Sequence, residues 1–185
     1  MLPRILQIRQ DALVAKYLYR RELSALKVYQ ISLTTITVIV PILFIAAQWV
    51  TKGTNADPVM SYVSFVGSAM LICLTVYSLI FGLGGKIEDA SNGLGNNIFI
   101  AEECQNFQTE NAQDNELEWF FRYVSSQDST DNKYLGDVPK KKRQAAYREA
   151  LKELVPSTVT TCPVCGASPW KYVKGTCEAC GNSNL

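Results

Sequence analysis

Charged residues disappear from the chain twice. None lies between Val28 and Val50, and none between Pro58 and Gly85. A hydrocarbon core takes about 20 helical residues to cross, so each block is long enough. The pattern predicts membrane-spanning helices at about residues 29–50 and 59–83, joined by the short polar connection Thr51–Asp57.

Before the first block, residues 3 to about 28 read as a helix. Leu6, Leu13 and Tyr17 share one face, Val14 and Leu18 lie beside it, and basic residues fill the rest. Such a helix could lie on a membrane surface, held by anionic headgroups, or it could pack on a partner or on the tail of its own chain. Arg4, Arg9, Lys16, Arg20, Arg21 and Lys27 outnumber Asp11 and Glu22 here, whereas the connection offers only Lys52. The positive-inside rule then places both termini in the cytoplasm of a multi-pass inner-membrane protein. A cleaved signal peptide is the competing reading of the first block. Against it stand the long charged leader, the length of the block and the second block that follows at once.

Within the spans the polar residues are ordered. Thr34, Thr37, Pro41 and Gln48, with Phe44, follow three-four spacing on the first helix. Ser61, Ser64, Ser68, Thr75, Ser78 and Gly82 do so on the second, with Leu71 in the gap. Stripes of this kind permit close helix approach and interhelical hydrogen bonds in lipid. They could instead line an oligomeric pore, since two helices are too few to enclose one. No ionisable acid or base lies inside either block to favour a pathway.

After Gly84 and Gly85 the composition turns polar, with Lys86, Glu88 and Asp89 marking exit from the bilayer. A helix is expected from about Ile98 to Gln108, a short one over Leu117–Val124, and turn structure over Ser125–Asn132. A last helix runs from Arg143 to Leu154 with Tyr147, Leu151 and Leu154 on its apolar side, ended by Pro156. The run Lys140–Arg143 reads as a solvated or headgroup-contacting face, and Glu102, Glu103 and Glu110 as a solvated helix side.

The most specific chemistry lies in Cys162-Pro163-Val164-Cys165-Gly166 and, eleven residues beyond Cys165, Cys177-Glu178-Ala179-Cys180-Gly181. Each Cys-x-x-Cys-Gly unit forms a knuckle: the glycine permits the turn that brings two sulfurs to one metal. Four thiolates close a tetrahedral shell with no position left for water, which predicts a structural zinc ribbon held by Cys162, Cys165, Cys177 and Cys180. Lys171 and Lys174 beside Trp170 and Tyr172 would suit a nucleotide or a polar partner surface, although the net charge of +1 does not argue for direct nucleic-acid binding. Cys73 and Cys104 have no evident partner. With no histidine, no Gly-rich phosphate loop and no convincing carboxylate pair, no enzymatic activity is expected.

The expected fold is thus an all-α membrane protein. Its parts are an N-terminal amphipathic helix (1–28), a transmembrane hairpin (29–85), a cytoplasmic helical region (86–155) and a small zinc ribbon (156–185). This order, with Lys16-Tyr17-Leu18-Tyr19-Arg20-Arg21 closing the first helix and Tyr147-Arg148-Glu149-Ala150-Leu151 in the last, resembles the SLATT family of bacterial two-span proteins over residues 1 to about 155. The cysteine pairs with their eleven-residue spacer resemble a group of mobile-element proteins described by that spacing. The first resemblance implies a pore-forming effector of a bacterial anti-phage or mobile-element conflict system, homo-oligomeric in the lipid bilayer and paired with a cytoplasmic sensor or nucleotide-signalling partner. The ribbon departs from that pattern. A membrane-anchored zinc-ribbon adaptor that forms no pore is the alternative.

Overall fold

The computed structural model describes residues 2–55, 57–109, 114–154 and 160–183. Among them the chain forms α1 (Leu2–Thr51), α2 (Asp57–Ile80), α3 (Leu83–Thr109), α4 (Asp114–Leu135) and α5 (Lys140–Leu154), and no β-strand. The chain divides into two compact units, Leu23–Glu88 and Met1–Glu22 with Asp89–Leu185.

The Leu23–Glu88 unit is a helical hairpin. Pro3–Thr51 and Pro58–Ile80 are long and apolar enough to cross a membrane, and almost none of their most apolar stretches is buried. Trp49, Val50, Leu79 and Ile80 are each at least three-quarters exposed. The two helices meet along a narrow seam where a Cβ at Gly67 would collide with the Phe44 ring. Gly67 therefore admits the ring, and the helices close on it. Thr37, Ser64 and Ser78 lie on the covered side. Several hydroxyls are satisfied within their own helix: Thr37 Oγ1 donates to the Leu33 carbonyl at 3.0 Å and Thr75 Oγ1 to that of Leu71 at 2.9 Å.

The other unit has an ordinary apolar core. Ile5, Ala12 and Leu13 of α1 pack with Ile100, Ala101 and Cys104 of α3, Leu117, Phe120 and Val124 of α4, and Ala150 of α5. The first turns of α1 are thus a core element of this unit. The buried line follows Ile5, Ala12, Ala15 and Tyr19, while Leu6 stays more than a third exposed. Small side chains here let neighbouring helices approach closely. At Gly93 the Tyr19 ring occupies the place a side chain would take.

Two helices run further than their local composition predicts. α3 begins at Leu83, not near Ile98, and passes through Gly84 and Gly85; α4 extends to Leu135 and includes Ser125–Asn132, which reads locally as a turn. Burial accounts for both, because tertiary contacts override weak propensity. Ala90, Gly93 and Asn97 put one side of α3 into the core. On α4, Gln127 is 6 % exposed and Asp131 is the hub of a polar network. It accepts Tyr19 OH at 2.9 Å, Asn97 Nδ2 at 2.9 Å and Gln127 Nε2 at 2.6 Å. α5 starts at Lys140, three residues before the expected Arg143, while Glu110 and Pro156 fall outside the described residues.

Beside this network runs a cavity of about 400 Å³, walled by Ala12, Ala15, Ile100 and Val124 and carrying Asp11, Asp128 and Asp131. Desolvation and the charge of Asp128 push the Asp11 carboxyl up; desolvation and the charge of Asp131 do the same to Asp128. A carboxyl whose pKa is raised by folding binds protons more tightly folded than unfolded, so it costs stability above its folded pKa and the cost fades as pH falls. Asp128→Asn should therefore raise the melting temperature at pH 7 and have little effect near pH 4, about where a free Asp protonates. Asp131→Ala should do the reverse at pH 7. It strands three buried donors, for a loss of about 1–3 kcal/mol in a denaturant titration.

Candidate metal centre

The two cysteine knuckles repeat one backbone design. In the first, the Gly166 amide donates to the Cys162 carbonyl at 2.8 Å and the Cys162 amide to that of Ala167 at 2.9 Å. In the second, Gly181 donates to Cys177 at 2.9 Å and Cys177 to Asn182 at 3.2 Å. Gly166 and Gly181 have φ of 72° and 73°, a left-handed conformation that other residues adopt only at a cost. The spacing of each pair is thus turned into geometry by a glycine at the same place.

All four sulfurs lie within 4.8 Å of one another, with Cys165 Sγ and Cys180 Sγ 3.4 Å apart. A tetrahedral ion with metal–sulfur bonds of about 2.3 Å would set its ligands about 3.8 Å apart, so the donor set fits a single metal ion. Cys162, Cys177 and Cys180 are buried and Cys165 is partly so. The backbone amide of Cys180 draws the Cys177 thiol down to about 6, while burial pushes that of Cys180 up to about 12. A cation among the four sulfurs would favour their thiolate forms.

The cluster does not stand on its own core. Leu151 and Tyr147 of α5 pack against the cysteines. Gln144 Nε2 donates to the Cys177 carbonyl at 3.0 Å and Arg148 donates to that of Cys180. Lys140 pairs with Glu178. Opposite, Arg143 caps the end of α4 by donating to Leu135 O at 3.0 Å. The basic start of α5 is therefore partly engaged within the protein rather than wholly solvated. Further along, Glu153 holds α1 through Lys16 Nζ at 2.6 Å and Tyr17 OH at 2.8 Å. Burial opposes ionisation of Glu153, but those two hydrogen bonds prevail and hold its carboxyl below the usual range.

The ribbon contains one isolated antiparallel bridge, Lys174 to Asn182, in place of strands. Asn182 replaces them as the organiser. It is 1 % exposed; its Nδ2 donates to the carbonyls of Ser168 at 3.1 Å and Lys171 at 3.2 Å, and its Oδ1 accepts the Val173 amide at 3.3 Å. Its place just after the second knuckle glycine is the one sequence signal that could have singled it out.

Of the polar residues along the spans, Thr37, Ser64 and Ser78 are turned toward the hairpin seam, whereas Thr34, Gln48, Ser61, Ser68 and Thr75 are exposed. The stripe read from spacing is two stripes, side by side. Gly67, absent from that reading, sits at the helix contact. Cys104 is fully buried in the bundle core, where desolvation raises its thiol to about 12, and Cys73 is exposed.

Cys162→Ser should abolish metal retention, checked by metal analysis of the purified chain, while leaving most helical signal in place. Asn182→Ala should keep the metal but weaken the ribbon by about 1–3 kcal/mol, because it strands buried backbone groups. Limited proteolysis within 160–183 would show it.

The family described as Mobilome CxxCx(11)CxxC protein matches residues 4–183. No curated protein and no solved structure matches the chain. With nearly the whole sequence matched and both cysteine pairs gathered into one cluster, the chain belongs to the mobilome CxxCx(11)CxxC family.

Proposed function

We propose that the protein is a membrane effector of mobile genetic elements or the defences against them: the hairpin spans the bacterial inner membrane with both termini cytoplasmic, several copies assemble, and the assembly permeabilises the bilayer on a signal received by the helical unit. The observation that carries this reading is the outer stripe of the hairpin. Ser61, Ser68 and Thr75 recur every seventh residue on the exposed side of α2, and Thr34 and Gln48 are exposed on α1, amid side chains otherwise suited to lipid. Seven-residue recurrence is the spacing with which helices pack side by side. Such faces seek a second hairpin or water, and a ring of hairpins can provide both.

Zinc is the ion that best suits the four-thiolate shell, and its role is structural: it offsets the ordering entropy of a segment too small to bury a core. The SLATT-like order of elements supports the effector role, and membership of a mobilome family is in keeping with a place in genetic conflict. Activation then requires a signal that favours the open arrangement over the closed one. The adaptor reading rests on one observation of its own, the exposed Trp170 and Tyr172 on the ribbon.

The test is dye release from phospholipid vesicles by the purified chain, alongside inducible toxicity in cells. Ser68→Leu and Thr75→Leu should reduce release several-fold while the chain still inserts. Ser64→Ala, on the covered seam, should change it little. Release and toxicity indifferent to both leucine variants would leave the adaptor as the better account.

A further inference from the structure

The ribbon presents a surface that the metal site does not use. Trp170, Tyr172 and Val173 are 52 %, 56 % and 58 % exposed, in a segment whose packing is otherwise directed at the cysteines. These side chains are not loose. The Lys152 ammonium lies 5.3 Å from the centre of the Trp170 ring, and the Arg148 guanidinium lies 4.1 Å from that of Tyr172. Lys152 and Arg148 are one turn apart on α5, so the two rings stand on adjacent cationic supports. Behind them, Asn182 pins the backbone at Lys171 and Val173.

The charge beside these rings is mainly positive, although Lys152 is also paired with Glu149 at 2.7 Å. Lys171 and Lys174 are exposed on either side of Tyr172. Glu178, the single acid in 160–183, is paired with Lys140. The face therefore offers an indole, a phenol and an aliphatic side chain beside two exposed lysines.

We propose that this face of the ribbon docks on an anionic lipid surface, with Trp170, Tyr172 and Val173 entering the interface and Lys171 and Lys174 meeting phosphate headgroups. Indole and phenol rings favour the membrane–water boundary because each has an apolar body and one polar atom. Lysines beside them are drawn by the negative surface potential of anionic leaflets. A single-stranded nucleic acid is the rival occupant, since it too takes cations and aromatic rings. Two features favour lipid. Val173 has no use against a base but gains by leaving water, and the same chain carries two helices long enough to span a bilayer, which keeps one within reach. That second argument rests on the membrane reading above; the pore is not needed.

The experiment uses the full-length, metal-loaded chain in vesicles of phosphatidylcholine alone or with about 30 per cent phosphatidylglycerol, a strongly anionic surface, with brominated lipids as quenchers. The W49F/W119F variant leaves Trp170 as the only indole, and W119F/W170F leaves Trp49 in the span. Trp170 emission should shift to the blue and fall by roughly half in the brominated anionic vesicles, as expected for a ring at the interface. It should recover in phosphatidylcholine alone and in K171E/K174E. Trp170 emission that is the same in both lipids overturns the proposal, as does a response to a single-stranded oligonucleotide with none to lipid. Trp49 separates the two readings. If Trp49 is quenched and Trp170 is not, the docking idea falls alone; if Trp49 is also unquenched, the membrane reading falls with it.

Discussion

Two side chains of α5, Gln144 and Arg148, reach carbonyl oxygens of the second cysteine knuckle, and on these contacts the helical unit and the ribbon become one object. Carbonyls are the right handle. A knuckle must point its amides inward to steady thiolates, which turns its oxygens outward, and donors on a neighbouring helix satisfy them. Because α5 also contributes Ala150 and Leu151 to buried clusters and Glu153 to the grip on α1, the ordering produced at the metal site is shared with the bundle. The ribbon in turn gains a platform that its own few apolar residues could not build.

The hairpin obeys a different rule. Its helices touch along a seam held by Phe44 and Gly67 and leave nearly all their apolar surface uncovered. In water such a surface would be a large liability; in lipid it is the natural exterior. The two units therefore treat their apolar side chains in opposite ways. One unit hides its hydrophobic side chains among helices, and the other keeps them outside.

What could be read from the residues alone followed the range of the interaction. Cys162, Cys165, Cys177 and Cys180 announce themselves because ligand spacing and the following glycine are local, and long uncharged runs are likewise visible without any fold. The extension of α4 through Ser125–Asn132 was not visible. What holds it is Asp131, whose partners Tyr19 and Asn97 are distant in sequence and whose worth appears only when the helices meet. The same holds for the seam. A glycine in an apolar helix gives no sign that one particular phenylalanine will lie on it, and spacing alone could not tell Ser64, turned inward, from Ser61 and Ser68, turned out. On the first helix the expected Leu13 and Leu18 are buried and Val14 and Tyr17 pack on the core, but Ala12 and Ala15 join them unannounced, because their small size counts only against a close neighbour.

The hydroxyls of Thr37, Thr51 and Thr75 return to carbonyls of their own helices. A hydroxyl paired in this way gains little from a hydrogen bond to a neighbour, whereas Ser64 Oγ, buried at the seam, has no partner of its own among the described residues. The polarity of these threonines is thus satisfied inside each helix, and what they offer a neighbour is shape rather than hydrogen bonds.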